Sequence, residues 1–283
     1  GRDILYDQNN KYNLTIRKTL EAIYENYKGD RNDKEFLALE CYLKRVWFSN
    51  GIHHHYATDK FTPEFSESFF ETTVRTLPSN TLPIQAYDNS VENLIAAIKP
   101  VIFDSTLYAK RVNQNENIDL VKNSANNYYE GVTEAEVDQF YNSKKEPNDP
   151  MPISWGLNSK LMKENGNLVE KTWKIGGMYN DAIQKIVYWL EKASKVAENE
   201  DQQRVINSLI DYYETGDLLT FDEYSILWVK DLDSKIDFIN GFIETYGDPL
   251  GLKASWESVV NFKDLEATKR TEIISENAQW FED

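Results

Sequence analysis

Residues 235–262 read "KIDFINGFIETYGDPLGLKASWESVVNF", and their spacing decides the fold class. Ile236, Phe238, Asn240, Phe242, Glu244 and Tyr246 fall at every second position, and beyond a Gly247-Asp248-Pro249 turn Trp256, Ser258, Val260 and Phe262 do the same. Side chains at i, i+2 and i+4 line one face of a strand, whereas a helix face needs i, i+3, i+4 and i+7. The stretch therefore predicts strands near 235–246 and 255–262. Upstream, "SKLMKENGNLVEKTWKIGG" (159–177) sets two short strand-like runs around Asn165-Gly166, a strong hairpin signal over 159–175. These four strands are expected to pair into one small antiparallel sheet or part of a β-barrel.

Elsewhere the period is helical. In "NLTIRKTLEAIYENYKGD" (13–30) Ile16, Leu20, Ile23, Tyr24 and Tyr27 share a face, with Asn13 as the expected cap and Gly29 as the expected stop. "NDKEFLALECYLKRVWFSNG" (32–51) repeats Phe36, Leu39, Leu43, Val46 and Trp47 and ends at Asn50-Gly51, with Cys41 read as core filler. "NSVENLIAAIKPV" (89–101) is expected to stop at Pro100, and "VTEAEVDQFY" (132–141) opens with a capping box from Thr133 to Glu136. "KKEPNDPMPISWG" (144–156) holds three of the eight prolines and reads as a connection. Three more helices are expected between 180 and 231, and a last amphipathic one over 264–283. The fold class is α+β, mostly helical: a helical part over 1–150, a mixed part over 151–283, together one compact lobe.

With 47 acidic against 31 basic residues the net charge is −16. Such a field repels phosphate backbones and anionic lipid heads, so nucleic acid and membrane surfaces are poor partners, while a cationic group such as a peptide ammonium is favoured. No run approaches the roughly 20 apolar residues of a membrane span. His53, His54 and His55 are the only histidines. Neighbours in sequence point apart on a helix or a strand, so the triplet is not expected to hold a metal. No nucleotide-binding glycine motif or nucleophile elbow is present.

Glu244 is the residue that stands out. A carboxylate in so apolar a strand needs a dedicated partner. That partner is either an internal Arg or Lys or the cation of a ligand, with Tyr246 two residues on as a hydrogen-bond donor.

"WFSNGIHHHY" (47–56), "TFDEYSILWVKD" (220–231) and above all "FINGFIETYGDPLGLKASWESVV" (238–260) resemble the dipeptidyl peptidase III family, zinc exopeptidases that release dipeptides from peptide amino termini. The similarity is closest to its bacterial, Bacteroides-type members and runs over essentially the whole chain. It implies a two-lobed enzyme, with zinc in a helical upper lobe and a lower lobe combining helices with a small β-barrel, to which this chain belongs. It also implies that Glu244 binds the substrate's amino-terminal ammonium and that Tyr246 contacts the backbone near the scissile bond. Thr245 stands where relatives carry serine, and Trp228 resembles a cleft-side tryptophan. The family's His-Glu-x-x-Gly-His motif is absent. The expectation is therefore a fragment with no catalytic or metal residue of its own. Its zinc would belong to the full-length parent, and its partners would be a peptide with a free amino terminus and the missing zinc-bearing lobe. By resemblance the compartment is cytoplasmic, with periplasm or export left open. The competing reading is a non-catalytic glycan- or protein-binding module. Coplanar exposed Trp and Tyr rings would favour glycan, and an exposed Glu244 beside a strand edge would favour peptide.

Overall fold

The computed structural model describes residues 1–282. The chain opens with five helices: α1 (Arg2–Asn9), α2 (Asn13–Asn26), α3 (Lys34–Ser49), α4 (Glu67–Thr76) and α5 (Val91–Phe103). Their inward stripes, including Ile16, Leu20 and Ile23 of α2, Leu39 and Leu43 of α3, Phe70 of α4 and Leu94 and Ile98 of α5, form one apolar cluster. After a long irregular passage come β1 (Tyr129–Glu130), α6 (Glu134–Asn142), β2 (Ser159–Glu164) and β3 (Asn167–Thr172). Then follow α7 (Asn180–Ser194), α8 (Glu200–Thr215), α9 (Leu218–Lys230), β4 (Ile236–Glu244), β5 (Ser255–Phe262), α10 (Leu265–Glu276) and α11 (Ala278–Glu282). A second cluster lies here, built on Tyr128, Leu161, Trp173, Ile183, Val187, Leu209, Tyr212, Tyr213 and Phe242. Helix α1 joins the two, because Ile4 packs in the second and Tyr6 in the first.

The architecture is α+β and mostly helical, as expected, but the strands do not share one sheet. β2 and β3 pair antiparallel around Asn165-Gly166, whose φ values of 50° and 83° are those a tight hairpin turn demands, and β1 adds in parallel to β2. β4 and β5 form a separate antiparallel ribbon. Among the described residues no barrel closes. β4 ends at Glu244, so Tyr246 lies beyond the strand in the turn, not on its face.

Several local expectations are corrected. Asn13 is the first residue of α2, not its cap; its Oδ1 accepts from the Ile52 N–H at 3.2 Å. That helix ends at Asn26, with Tyr27 already outside the helical region, before Gly29 is reached. Pro100 lies inside α5, close enough to its end that the final turn to Phe103 tolerates the missing donor. Cys41 is exposed on the outer side of α3. α10 and α11 bury no residue, so the last helix is not packed by an apolar face. Asn50 in the left-handed region and the Thr133 capping box occur as read.

Candidate functional site

The ribbon's register shifts between Phe242 and Glu244. Gly241 faces Glu257 and Phe242 faces Trp256, but Glu244, not Ile243, faces Ser255. Partners across a ladder share a face, and Ser255 and Glu257 are two apart on β5. The bulge therefore moves Glu244 off the Phe242 face and onto that of Glu257. Phe242 stays in the core, 4.8 Å from the Trp173 ring, while Glu244 is exposed and Glu257 half-buried. Burial first, and then the neighbouring Glu244 charge, raises the Glu257 carboxyl above the ordinary range. Among the described residues neither carboxylate makes a salt bridge with Lys or Arg.

The turn after β4 is anchored from four directions. Asp248 is buried, and its carboxylate accepts from the backbone N–H groups of Leu250, Leu252 and Lys253 and from the Tyr129 hydroxyl at 2.7 Å. Asn126 Nδ2 donates to the Gly247 carbonyl at 3.1 Å, and Asp248 N–H to the Thr245 carbonyl at 3.0 Å. Lys253 is fully buried, its Nζ donating to Tyr141 Oη at 2.6 Å and to the Gly156 carbonyl at 3.2 Å, and burial lowers it to about 7. On β5, Gln8 of α1 acts as a strand neighbour: its Nε2 donates to the Ala254 carbonyl at 3.0 Å and its Oε1 accepts from Trp256 N–H at 2.9 Å. Tyr246 is thus held on a rigid turn, more than half exposed at 56%, with its phenol raised by burial and by the Glu257 charge while Arg111 opposes.

Glu244, Thr245 and Tyr246 come together, and Glu257 joins them. Trp228 does not. Its indole N–H donates to Asp237 at 3.0 Å, seven residues up the strand from Glu244, about 23 Å at a strand's rise. Glu257 escaped the sequence reading because strict alternation put it opposite Glu244; its signal was a carboxylate in the strand-like run "SWESVV" with no evident cation.

The residues present do not fit a zinc site. Among the described residues no group of three or more His, Cys, Asp or Glu could hold a metal. The three histidines diverge: His53 is buried with Nε2 2.8 Å from the Tyr108 carbonyl, His54 Nδ1 accepts from Ala57 N–H at 3.0 Å, and the His55 ring lies edge-on to Tyr56. No chemical step can be derived through zinc from this chain.

The β4–β5 ribbon thus carries on one side two carboxylates that make no salt bridge with Lys or Arg among the described residues. Residues 105–281 match peptidase family M49, and the chain belongs to that family. Dipeptidyl peptidase 3 of Dictyostelium discoideum is 30% identical over 105 residues, 37% of this chain and 15% of that protein. Dipeptidyl peptidase 3 of Nematostella vectensis is 22% identical over 287 residues, 84% of this chain and 37% of that protein. The chain thus spans little more than a third, at most, of these curated relatives. Among solved structures, DPP III from Caldithrix abyssi superposes with a TM-score of 0.59 at 16% identity, covering 98% of this chain and 40% of that one, a likeness of fold.

Proposed function

We propose that this chain is the substrate-holding portion of a zinc dipeptidyl peptidase. In this reading Glu244 and Glu257 together receive the free ammonium of a peptide, which sets the register of the cut two residues from the amino terminus. Tyr246 donates to the peptide backbone, Thr245 carries the turn between them, and Trp228 lines the cleft farther along. The peptide extends along β4, which pairs only with β5 among the described residues, whereas the outer edge of β5 is taken by Gln8. Zinc, and with it the hydrolytic step, is assigned to residues outside those described here, in a second lobe that is this chain's partner.

The observation that carries the reading is the carboxylate pair without a cation. An internal Arg or Lys was the bland alternative for Glu244, and the described residues supply none. Two carboxylates sharing one side of a ribbon repel each other, and a bound ammonium relieves that repulsion. The glycan reading asks for coplanar exposed rings, and two exposed pairs are crossed instead: Tyr188 and Trp189 meet at 80°, Trp280 and Phe281 at 81°. The absence of any helix long and apolar enough to cross a membrane among the described residues is neutral between the two.

Calorimetric titration of this chain with a tetrapeptide tests the proposal. The free-amine peptide should bind about 30-fold more tightly than its N-acetylated form, and Glu244→Gln should remove most of that difference, as expected for one partner of a charge pair desolvated on binding. Equal binding of the two peptides sinks the assignment. Zinc content and dipeptide release, compared between this chain and a polypeptide that also carries the family's His-Glu-x-x-Gly-His motif, test the division of labour: both should appear only with the motif.

A further inference from the structure

A cavity of about 550 Å3 opens beside Tyr246, walled by residues 55–58, 110–112 and Gln114. In a chain with 47 acidic residues, no acidic side chain among the described residues lines it, whereas Lys110 and Arg111 do. Lys110 sits at the rim, 3.4 Å from Asp59. Arg111 is different. It is only 6% exposed, its Nη1 donates to Asn9 Oδ1 at 2.9 Å and its Nη2 to the His55 carbonyl at 3.0 Å, both neutral acceptors. Its Nε–H is buried without a partner, and the guanidinium makes no salt bridge among the described residues.

A guanidinium keeps its proton inside a protein, so the wall carries a full buried charge with no counter-ion, which is costly unless something anionic completes it. The same place holds a second unused donor, the buried hydroxyl of Tyr128. Both lie under the backbone that carries Tyr246: a Cβ on Gly247 would come within 3.4 Å of Tyr128 Oη and 3.9 Å of Arg111 Nη1. A cavity of this size accommodates a peptide side chain or a small peptide.

We infer that this cavity binds a carboxylate of the peptide through Arg111, so that Tyr246 stands between a cation site at Glu244 and Glu257 and an anion site at Arg111. The inference rests on the amino-terminus reading above. The carboxylate has two sources, the side chain of an acidic residue near the peptide's amino terminus or the terminal carboxylate of a dipeptide. The rim charge of Lys110 guides either one in, and Arg111 fixes it with the directional N–H groups that a lysine lacks.

Titration of the unmodified chain with paired ligands separates these sources and needs no variant. The first pair is two amidated tetrapeptides with free amines and Glu or Gln at the second residue; the second pair is a neutral dipeptide and its amide. At least one pair should favour the carboxylate about 10-fold, the first pair marking a side-chain site and the second a terminal one. The preference should shrink in Lys110→Met, a rim change that leaves the core untouched, and vanish in Arg111→Gln if that variant melts cooperatively. A carboxylate advantage below about 2-fold in both pairs overturns the inference. N-acetylation keeps the tests apart: loss of binding on acetylation with equal Glu and Gln peptides leaves the amino-terminus reading standing and this one refuted. A carboxylate preference that survives acetylation without loss of affinity supports the anion site and refutes the clamp.

Discussion

Glu257 and His53 show how much a single side chain's surroundings decide. The Glu257 carboxyl is raised by burial and by the charge of Glu244, so it takes up its proton at a higher pH than an ordinary glutamate. Ammonium binding should therefore weaken as acidification protonates Glu257, and Glu257→Gln should flatten that part of the binding profile. Titrations at stepwise lower pH check this; a variant with the wild-type profile would remove Glu257 from the clamp. His53 is buried at the Tyr108 carbonyl, and desolvation lowers it from 6.5 to about 4. Between those values the unfolded chain binds a proton that the folded chain refuses, so stability is lost as pH falls from 6.5 to 4 and is level below. The loss amounts to about 3 kcal/mol. His53→Gln should have a flatter denaturation profile in that window, whatever its stability at neutral pH.

Among the elements, the β4–β5 ribbon is held by a short helix whose Gln8 bonds residues 246 and 248 positions on in sequence. Gln8 is fully buried and spends its whole amide on Ala254 and Trp256, the residues flanking Ser255, which faces Glu244. Gln8→Ala leaves a carbonyl and an N–H of β5 unsatisfied in the core, at a cost of about 2 to 3 kcal/mol. It should also weaken peptide binding, because the strand that carries Glu257 loses its outer support. Urea titration and calorimetry on the same variant separate the two effects. A stable variant with intact binding would show that the ribbon holds its shape alone. The bulge at Phe242–Glu244 matters in the same way: it is one extra residue, and it moves a carboxylate from the core side of the ribbon to the solvent side.

The whole molecule joins two apolar clusters through α1 and leaves other large apolar side chains open to solvent. Trp189, Val196, Val260 and Phe262 are exposed around α7 and the ribbon, and Ile273, Ile274, Trp280 and Phe281 are exposed on the last two helices. Exposed apolar side chains of this size drive association or bind another surface. Sedimentation at rising concentration should show self-association despite the net charge of −16, and it should strengthen with salt as repulsion is screened. Replacing Trp280 and Phe281 by Ser should diminish it. A monomer at every concentration and ionic strength would mean that these side chains are no association surface.

The sequence by itself determined the α+β class, the Asn165-Gly166 hairpin, the helix caps at Asn50 and Thr133, and the suspicion that falls on Glu244. Each is local, set by the period of apolar residues or by the backbone freedom of one or two positions. Only the tertiary structure decided that the strands form two sheets, since pairing between distant segments leaves no trace in their spacing. The bulge was equally invisible, for one extra residue in a ladder exists only relative to its partner strand. With it went the pairing of Glu244 with Glu257, the distance of Trp228 from both, and the meeting of Arg111 with Tyr246, residues 135 apart in the chain. Chemistry at this site is made by contacts between segments that only folding brings within reach.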